Sequence, residues 1–297
     1  MTCFFVSDLH IDFYAPLTRT VQLLRRCFQD FFDRNFLPAD VCCIAGDIAN
    51  NYFTYVEFLK FISEKYSQVY ICLGNHDIIT EREGVFGADK DFPTSESKIA
   101  YYLEEAAKIP NVHLLEKSAA TLPSRVLATA TTLPAASNYS IAGCLGMCDF
   151  TYRHRPDASV EEYKFLWKAR WFDGRHWNYK DNDVAALWAH YKDVMNNLTA
   201  DRPKVMMTHF LPMEFGMAEM YLANPNSTYF FFQGDEFLRN LDEGSIWQAG
   251  HTHSAIKRVV RDSLGKSHLL LCNPVGYPTE HPYEENHLKR EDFLLEI

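Results

Sequence analysis

The sequence predicts an α/β fold, and two observations predict it. Short, uninterrupted apolar runs alternate with amphipathic stretches through the first half of the chain. Several of those runs stop at a histidine, aspartate or asparagine set beside glycine. An apolar run too short for a helix marks a strand covered on both faces, as in a sheet packed between other layers.

The elements follow in order. CFFVS at 3–7 is the first strand, and residues 17–35 carry Val21, Leu24, Phe28 and Phe31 at helical spacing. VCCIA at 41–45 is the second strand, a helix follows through 53–65, and VYICL at 69–73 is the third strand. Residues 95–108 place Ile99, Tyr102, Leu103 and Ala106 on one helical face. The texture then changes. Residues 112–115, 125–131 and 139–145 are short strand-like pieces separated by Pro, Ser and Asn, which suggests a second sheet or an antiparallel extension. Ser159-Val160-Glu161-Glu162 is a capping box for a helix reaching about residue 172. Along 182–198, Val184, Leu187, Trp188, Tyr191, Val194, Met195 and Leu198 form one apolar stripe that reads as core packing. KVMMT at 204–208, SIWQA at 245–249 and HLLLC at 268–272 complete the strands, and Asn273-Pro274-x-Gly276-Tyr277 reads as a structural turn after the last of them. No repeat, low-complexity tract or Gly/Ser linker divides the chain, so residues 1–297 read as a single domain with a lid or insertion at about 144–200.

Bulk properties narrow the function classes. A net charge of −10 and a pI near 5.6 disfavour an extended nucleic-acid track, which takes the opposite sign. No segment approaches the ~20 apolar residues that cross a bilayer, so no membrane partner is expected. Met1 to Ser7 runs at once into Asp8-Leu9-His10, with neither the basic start nor the cleavage site of a signal peptide. Cys3, Cys42, Cys43, Cys72 and Cys272 lie inside apolar runs, and Cys144 and Cys148 lack the second pair of a zinc site. Reduced cysteines and a cytoplasmic location are the expectation.

The chemistry lies beyond the strands. CFFVS leads into Asp8-Leu9-His10, VCCIA into Gly46-Asp47, and VYICL into Gly74-Asn75-His76-Asp77. KVMMT ends at His209, and SIWQA at Gly250-His251-Thr252-His253. In α/β sheets the C-terminal strand edge is where ligands bind. Carboxylate, imidazole and amide oxygen without thiolate suit manganese, iron, zinc or a similar divalent ion. In Asp8-x-His10 an extended segment would turn both side chains to one side. The glycines before Asp47, Asn75 and His251 let the backbone turn sharply and crowd the ions. Seven candidate ligands (Asp8, His10, Asp47, Asn75, His209, His251 and His253) exceed what one tetrahedral ion takes. They suit two ions about 3.5–4 Å apart sharing a carboxylate.

This ordered set resembles the calcineurin-like metallophosphoesterase superfamily, whose blocks are Asp-x-His, Gly-Asp, Gly-Asn-His-Asp/Glu, His and Gly-His-x-His. All five are intact between Asp8 and His253; the stretch at 144–200 lies outside the resemblance. The resemblance implies a four-layer α/β/β/α sandwich of two stacked mixed sheets. It implies that Asp8, His10, Asp47 and His253 hold one ion, and that Asp47, as the bridge, with Asn75, His209 and His251 holds the other. His76 and Asp77 are the candidate catalytic residues, and on the resemblance His76 faces the scissile phosphate rather than binding metal. Two divalent ions, manganese first and iron or zinc as alternatives, are the implied cofactors.

Departures narrow the family. Ser/Thr phosphatases follow Gly-Asp with Val-Asp-Arg-Gly, whereas Ile48-Ala49-Asn50-Asn51 stands here, without the phosphate-gripping arginine or the carboxylate behind the catalytic histidine. Purple acid phosphatases place a metal-binding tyrosine where Asn50 stands. A stand-alone phosphoesterase acting on phosphate mono- or diesters of a small or nucleotide-like substrate is the expectation. A nuclease-type phosphodiesterase is the alternative, and a non-catalytic binding module on the same fold comes after it.

The segment 150–180 carries seven Lys or Arg against four Asp or Glu, with Tyr152, Trp167, Trp171, Phe172 and Trp177 interleaved. Two readings stand beside each other: a lid that stacks a ring and grips phosphate, or a helical unit packing its aromatics inward. On the first, Arg153, His154 and Arg155 are the candidate substrate-binding residues.

Overall fold

Where a strand is apolar throughout, each face must meet its own layer. The computed structural model describes residues 1–16, 18–80, 92–116, 131–132, 140–152, 157–180, 183–213, 224–283 and 287–297. Strand β1 (Thr2–Val6) sends Cys3 and Phe5 into a core shared with Val205, Met207, Ile246 and Leu271 of a second sheet. Its alternate residues Phe4 and Val6 join Leu24 and Phe28 of helix α1 (Val21–Asn35) in the other core. Strands β2 (Val41–Ala45) and β3 (Gln68–Cys72) divide the same way, with Cys43 and Tyr70 between the sheets and Ile44 and Ile71 under the helices. The apolar runs are thus the two-sided strands that their composition predicts.

The first sheet has the order β11-β1-β2-β3-β4, where β4 is Val112–Leu114 and β11 is Leu294–Glu296. Strands β1 to β4 are parallel, and β11 is antiparallel at the edge. Helices α1, α2 (Tyr52–Ser63) and α3 (Ser95–Ala107) make the crossovers, which parallel neighbours require. The second sheet contains β5 (Thr131–Thr132), β6 (Ser140–Cys144), β7 (Val205–Thr208), β8 (Ile246–Ala249), β9 (Ile256–Arg261) and β10 (Ser267–Cys272). Its order is β5-β6-β7-β8-β10-β9, with antiparallel pairs only at the two edges. Both sheets are mixed, and the layers run helix, sheet, sheet, helix.

Buried polar groups fix how the sheets stack. Gln248 Nε2 donates to the carbonyls of Val6 and Cys43 at 2.8 and 3.0 Å, and Asn273 Nδ2 to that of Phe5 at 2.6 Å. An unpaired amide there would cost the desolvation of a buried donor, so these contacts specify one arrangement of the sheets.

In the middle of the chain, α4 (Val160–Arg170) is capped by Ser159, whose Oγ accepts from Glu162 N. The helix expected to reach about 172 breaks at Trp171, whose backbone is extended, and resumes as α5 (Phe172–His176). Helix α6 (Val184–Ala200) buries the predicted stripe, with Trp188 half-buried. Two edge strands were not expected, β9 and β11. In β9, Lys257, Arg258 and Val259 are exposed, so the strand carries no two-sided apolar run. The strand expected at 125–131 lies outside the described residues except for Thr131. All eight cysteines are free, and no described helix is long and apolar enough to cross a membrane.

Candidate metal centre

The loops after β1, β2, β3, β7 and β8 converge, and the structure brings together all seven residues proposed as ligands. Asp8, His10 and His209 are fully buried, Asp47, Asn75 and His251 nearly so, and the His253 side chain is 16% exposed. Asp8, His10, Asp47, His251 and His253 all have positive φ, between 42° and 71°. This corrects the extended Asp8-x-His10 segment expected above. Strand β1 ends at Val6 and the chain curls, because Asp8 N and His10 N donate to the carbonyls of Gly46 and Asp47 on the neighbouring loop. Left-handed backbone at a residue other than glycine costs about 1–3 kcal/mol, and Asp and His tolerate it better than most. Five such residues at one spot are held there by the surrounding fold.

Close approach explains two of the glycines. Gly46 has φ 80°, and a Cβ on it would lie 2.7 Å from His209 Nδ1. A Cβ on Gly74 would overlap the carboxylate and backbone nitrogen of Asp47.

The donors fall into two groups that share Asp47. In the first, ligand atoms of Asp8, His10, Asp47 and His253 all lie within 4.8 Å of one another. His10 Nε2 faces His253 Nε2 at 2.9 Å and Asp47 Oδ2 at 3.6 Å. In the second, Asn75 Oδ1 lies 2.7 Å from His209 Nε2 and 3.0 Å from His251 Nδ1. His209 Nε2 is 3.3 Å from Asp47 Oδ2.

An outer layer aims these atoms. His209 Nδ1 donates to Ala45 O at 2.8 Å, which leaves Nε2 free to act as a donor atom toward a metal. His253 Nδ1 pairs with Glu280 Oε2 at 2.6 Å, and the same oxygen accepts from Tyr277 N at 2.7 Å. Asn75 Nδ2 donates to the buried Asp173 carboxylate at 2.7 Å, turning its oxygen to the imidazoles. Sequence reasoning missed Glu280 and Asp173, since a lone carboxylate far from any motif carries no pattern. It read Tyr277 as part of a turn, yet the Tyr277 ring stacks on His10 at 4.3 Å.

Asp77 needs a correction. Expected beside His76 in catalysis, it is fully buried and accepts from four backbone nitrogens, those of Asp47, Ile48, Ala49 and Gly74. Both carboxylate oxygens are engaged, so Asp77 laces the loops after β2 and β3 together and positions Asp47.

His76 stands beside the cluster. Its Nδ1 donates to Asn50 Oδ1 at 2.8 Å, its Nε2 lies 3.4 Å from the Tyr277 hydroxyl, and Phe172 stacks on its ring at 4.8 Å. Asn50 thus puts a neutral amide oxygen behind this histidine. Burial pushes the His76 pKa down to about 4, so the ring is neutral near pH 7. Arg153, His154 and Arg155 lie outside the described residues. Of the same segment, Trp167 and Trp177 are buried, while Trp171 and Phe172 line the pocket above the cluster.

The five blocks therefore meet in space as they stand in order along the chain, and the calcineurin-like phosphoesterase family matches residues 1–271. The chain belongs to that family. Among curated proteins no sequence matches significantly. Among solved structures, phosphopantetheinyl hydrolase from Mycobacterium tuberculosis superposes with a TM-score of 0.64 at 16% identity, covering 99% of this chain and 94% of that one. That likeness is one of fold.

Members of this family are metal-dependent, and the donor set of this calcineurin-like phosphoesterase fits divalent ions. His10 Nδ1 is buried without a hydrogen-bond partner, while His10 Nε2 and His253 Nε2 point at one another beside two buried carboxylates. At His209, burial works against protonation, yet the Asp47 and Asp8 carboxylates raise the pKa to about 10. At Asp47, burial is outweighed by the His209 and His76 imidazoles, which hold the carboxyl well below its usual range. The cluster draws positive charge to the space around Asp47, and a cation there would replace the proton on His209.

Proposed function

We propose that this phosphoesterase hydrolyses phosphate mono- or diesters of a small or nucleotide-like substrate at two divalent metal ions. The observation that carries the reading is the pair of donor groups meeting at Asp47 Oδ2, which lies 3.6 Å from His10 Nε2 and 3.3 Å from His209 Nε2. Asp8, His10, Asp47 and His253 would hold one ion, and Asp47, Asn75, His209 and His251 the other. Manganese is the first choice, with iron or zinc as alternatives, because imidazole and carboxylate oxygen suit all three. Bound there, the pair supplies Lewis-acid polarisation of the phosphoryl group and an activated water at neutral pH.

The chain's own residues do the rest. Asn50 fixes the His76 ring by accepting at Nδ1, so Nε2 faces the pocket. The negative charge of a bound phosphate beside Nε2 favours the protonated ring and opposes the effect of burial. His76 can then give its Nε2 proton to the departing oxygen. Tyr277 stacks on His10, and its hydroxyl lies within reach of the same Nε2. The chain's cysteines, all free, suit action in the reducing cytoplasm.

The test is an assay of chelator-treated protein on chromogenic mono- and diesters, with a phosphopantetheinyl ester included because the structural neighbour bears that name. Mn²⁺ should restore activity and Ca²⁺, which prefers all-oxygen sites, should not. One ion or none by elemental analysis of active protein ends the two-metal reading.

A further inference from the structure

The pocket over the cluster has a volume of about 580 Å³, in the range that takes a whole small organic ligand rather than a phosphate group alone. Its floor is made of Asp47, Asn75, His76, His251 and His253. The rest of its lining includes the rings of Trp171, Phe172 and Phe230 and the polar side chains of Thr252, Ser254 and Glu280.

The rings form two arms that start at the reaction centre. Phe172 lies on His76 with centroids 4.8 Å apart and planes at 20°. Phe230 lies 4.8 Å from His251, and Trp171 meets Phe230 edge-on at 5.6 Å. All three rings are only half-buried, although most large apolar side chains of this protein are fully enclosed. They are also held firmly. Trp171 N donates to Trp167 O at 3.0 Å where α4 gives way to α5, and Gly174 packs so closely on Trp167 that a Cβ there would strike its backbone. A fixed, half-open set of aromatic surfaces beside a phosphoryl site offers stacking to a flat group at low ordering cost. The Glu280 carboxylate also lines the pocket, and it would repel a second phosphate.

Resting on the phosphoesterase reading above, we propose that the substrate joins its single scissile phosphate to an uncharged planar ring, a nucleobase or another aromatic group, which seats on Trp171 and Phe230. A polyphosphate chain is not its ligand.

Phenylphosphonate and cyclohexylphosphonate test this without a leaving group, since neither is hydrolysed and, at a pH alkaline enough that both are dianions, the two differ mainly in planarity. Binding to the manganese-loaded protein is measured by calorimetry. Phenylphosphonate should bind about tenfold more tightly, the scale of one ring-stacking contact. Trp171→Ala and Phe230→Leu should each reduce that preference, while Trp171→Phe, which keeps a ring, should retain most of it. Equal binding of the two phosphonates to the unmodified protein overturns the proposal, as does a preference untouched by both Phe230→Leu and Trp171→Ala. If the protein cleaves simple esters but shows no preference, the ring site alone fails. If it cleaves none and binds neither phosphonate, the underlying reading fails with it.

Discussion

Asn75 and Asp173 stand 98 positions apart, and the amide of one donates to the buried carboxylate of the other over 2.7 Å. The contact ties the segment after α4 to a proposed metal ligand. With Nδ2 so engaged, Asn75 can present only its oxygen to His209 and His251. Asp173→Ala should therefore weaken one of two metal-binding steps by about 10–100-fold, the usual cost of losing an outer partner. Asp173→Asn, whose amide oxygen can still accept, should recover most of it. Calorimetric metal titration reads this directly, and equal weakening of both steps would contradict the assignment.

Asp47 Oδ2 lies between His10 and His209, and its Oδ1 accepts from His76 N at 2.8 Å. Removing its charge leaves two cations without a shared carboxylate. Asp47→Asn should lose activity and drop from two bound metals to one, as counted by elemental analysis. A variant that keeps both ions and most of its rate would show that Asp47 does not bridge.

His76 tests the chemistry rather than the assembly of the site. As proton donor it matters most for poor leaving groups, where general acid catalysis contributes ~10²–10⁴-fold. His76→Ala should keep both metals, lose most activity on alkyl esters and lose far less on p-nitrophenyl esters. Equal losses on both would falsify the donor role and leave only orientation of the phosphate.

Gly74 tests the packing beneath the site. A methyl group there meets the Asp47 backbone and carboxylate, which cannot swing aside as a flexible side chain would. Gly74→Ala should cost about 1–3 kcal/mol of stability, measured by denaturant unfolding of the metal-free protein. An unchanged midpoint would show that the loops after β2 and β3 move apart freely, against the four hydrogen bonds of Asp77.

Much of this protein is legible in one dimension. CFFVS, VCCIA and VYICL are strands buried on both faces because no other environment suits five consecutive residues with almost no polar side chain, and the helices between them follow from apolar residues at i, i+3, i+4 and i+7. The seven proposed ligands were legible too, because histidine, aspartate and asparagine recur just beyond strand ends, where turn formation alone does not call for imidazole. Only the tertiary structure decided the rest. The left-handed backbone at Asp8 and His10 depends on hydrogen bonds to a loop some 38 residues away, a separation of the kind that also links Asn50 N to Asp12. Asp77 carries the same motif position whether it faces substrate or backbone, and its four N–H donors settle that it faces backbone. Asp173, Glu280 and Tyr277 come from segments without a motif, and they acquire meaning from proximity alone. Local sequence sets which faces are apolar and which atoms can donate or accept. Which of those atoms meet is set by how two sheets stack, and that depends on the whole chain at once.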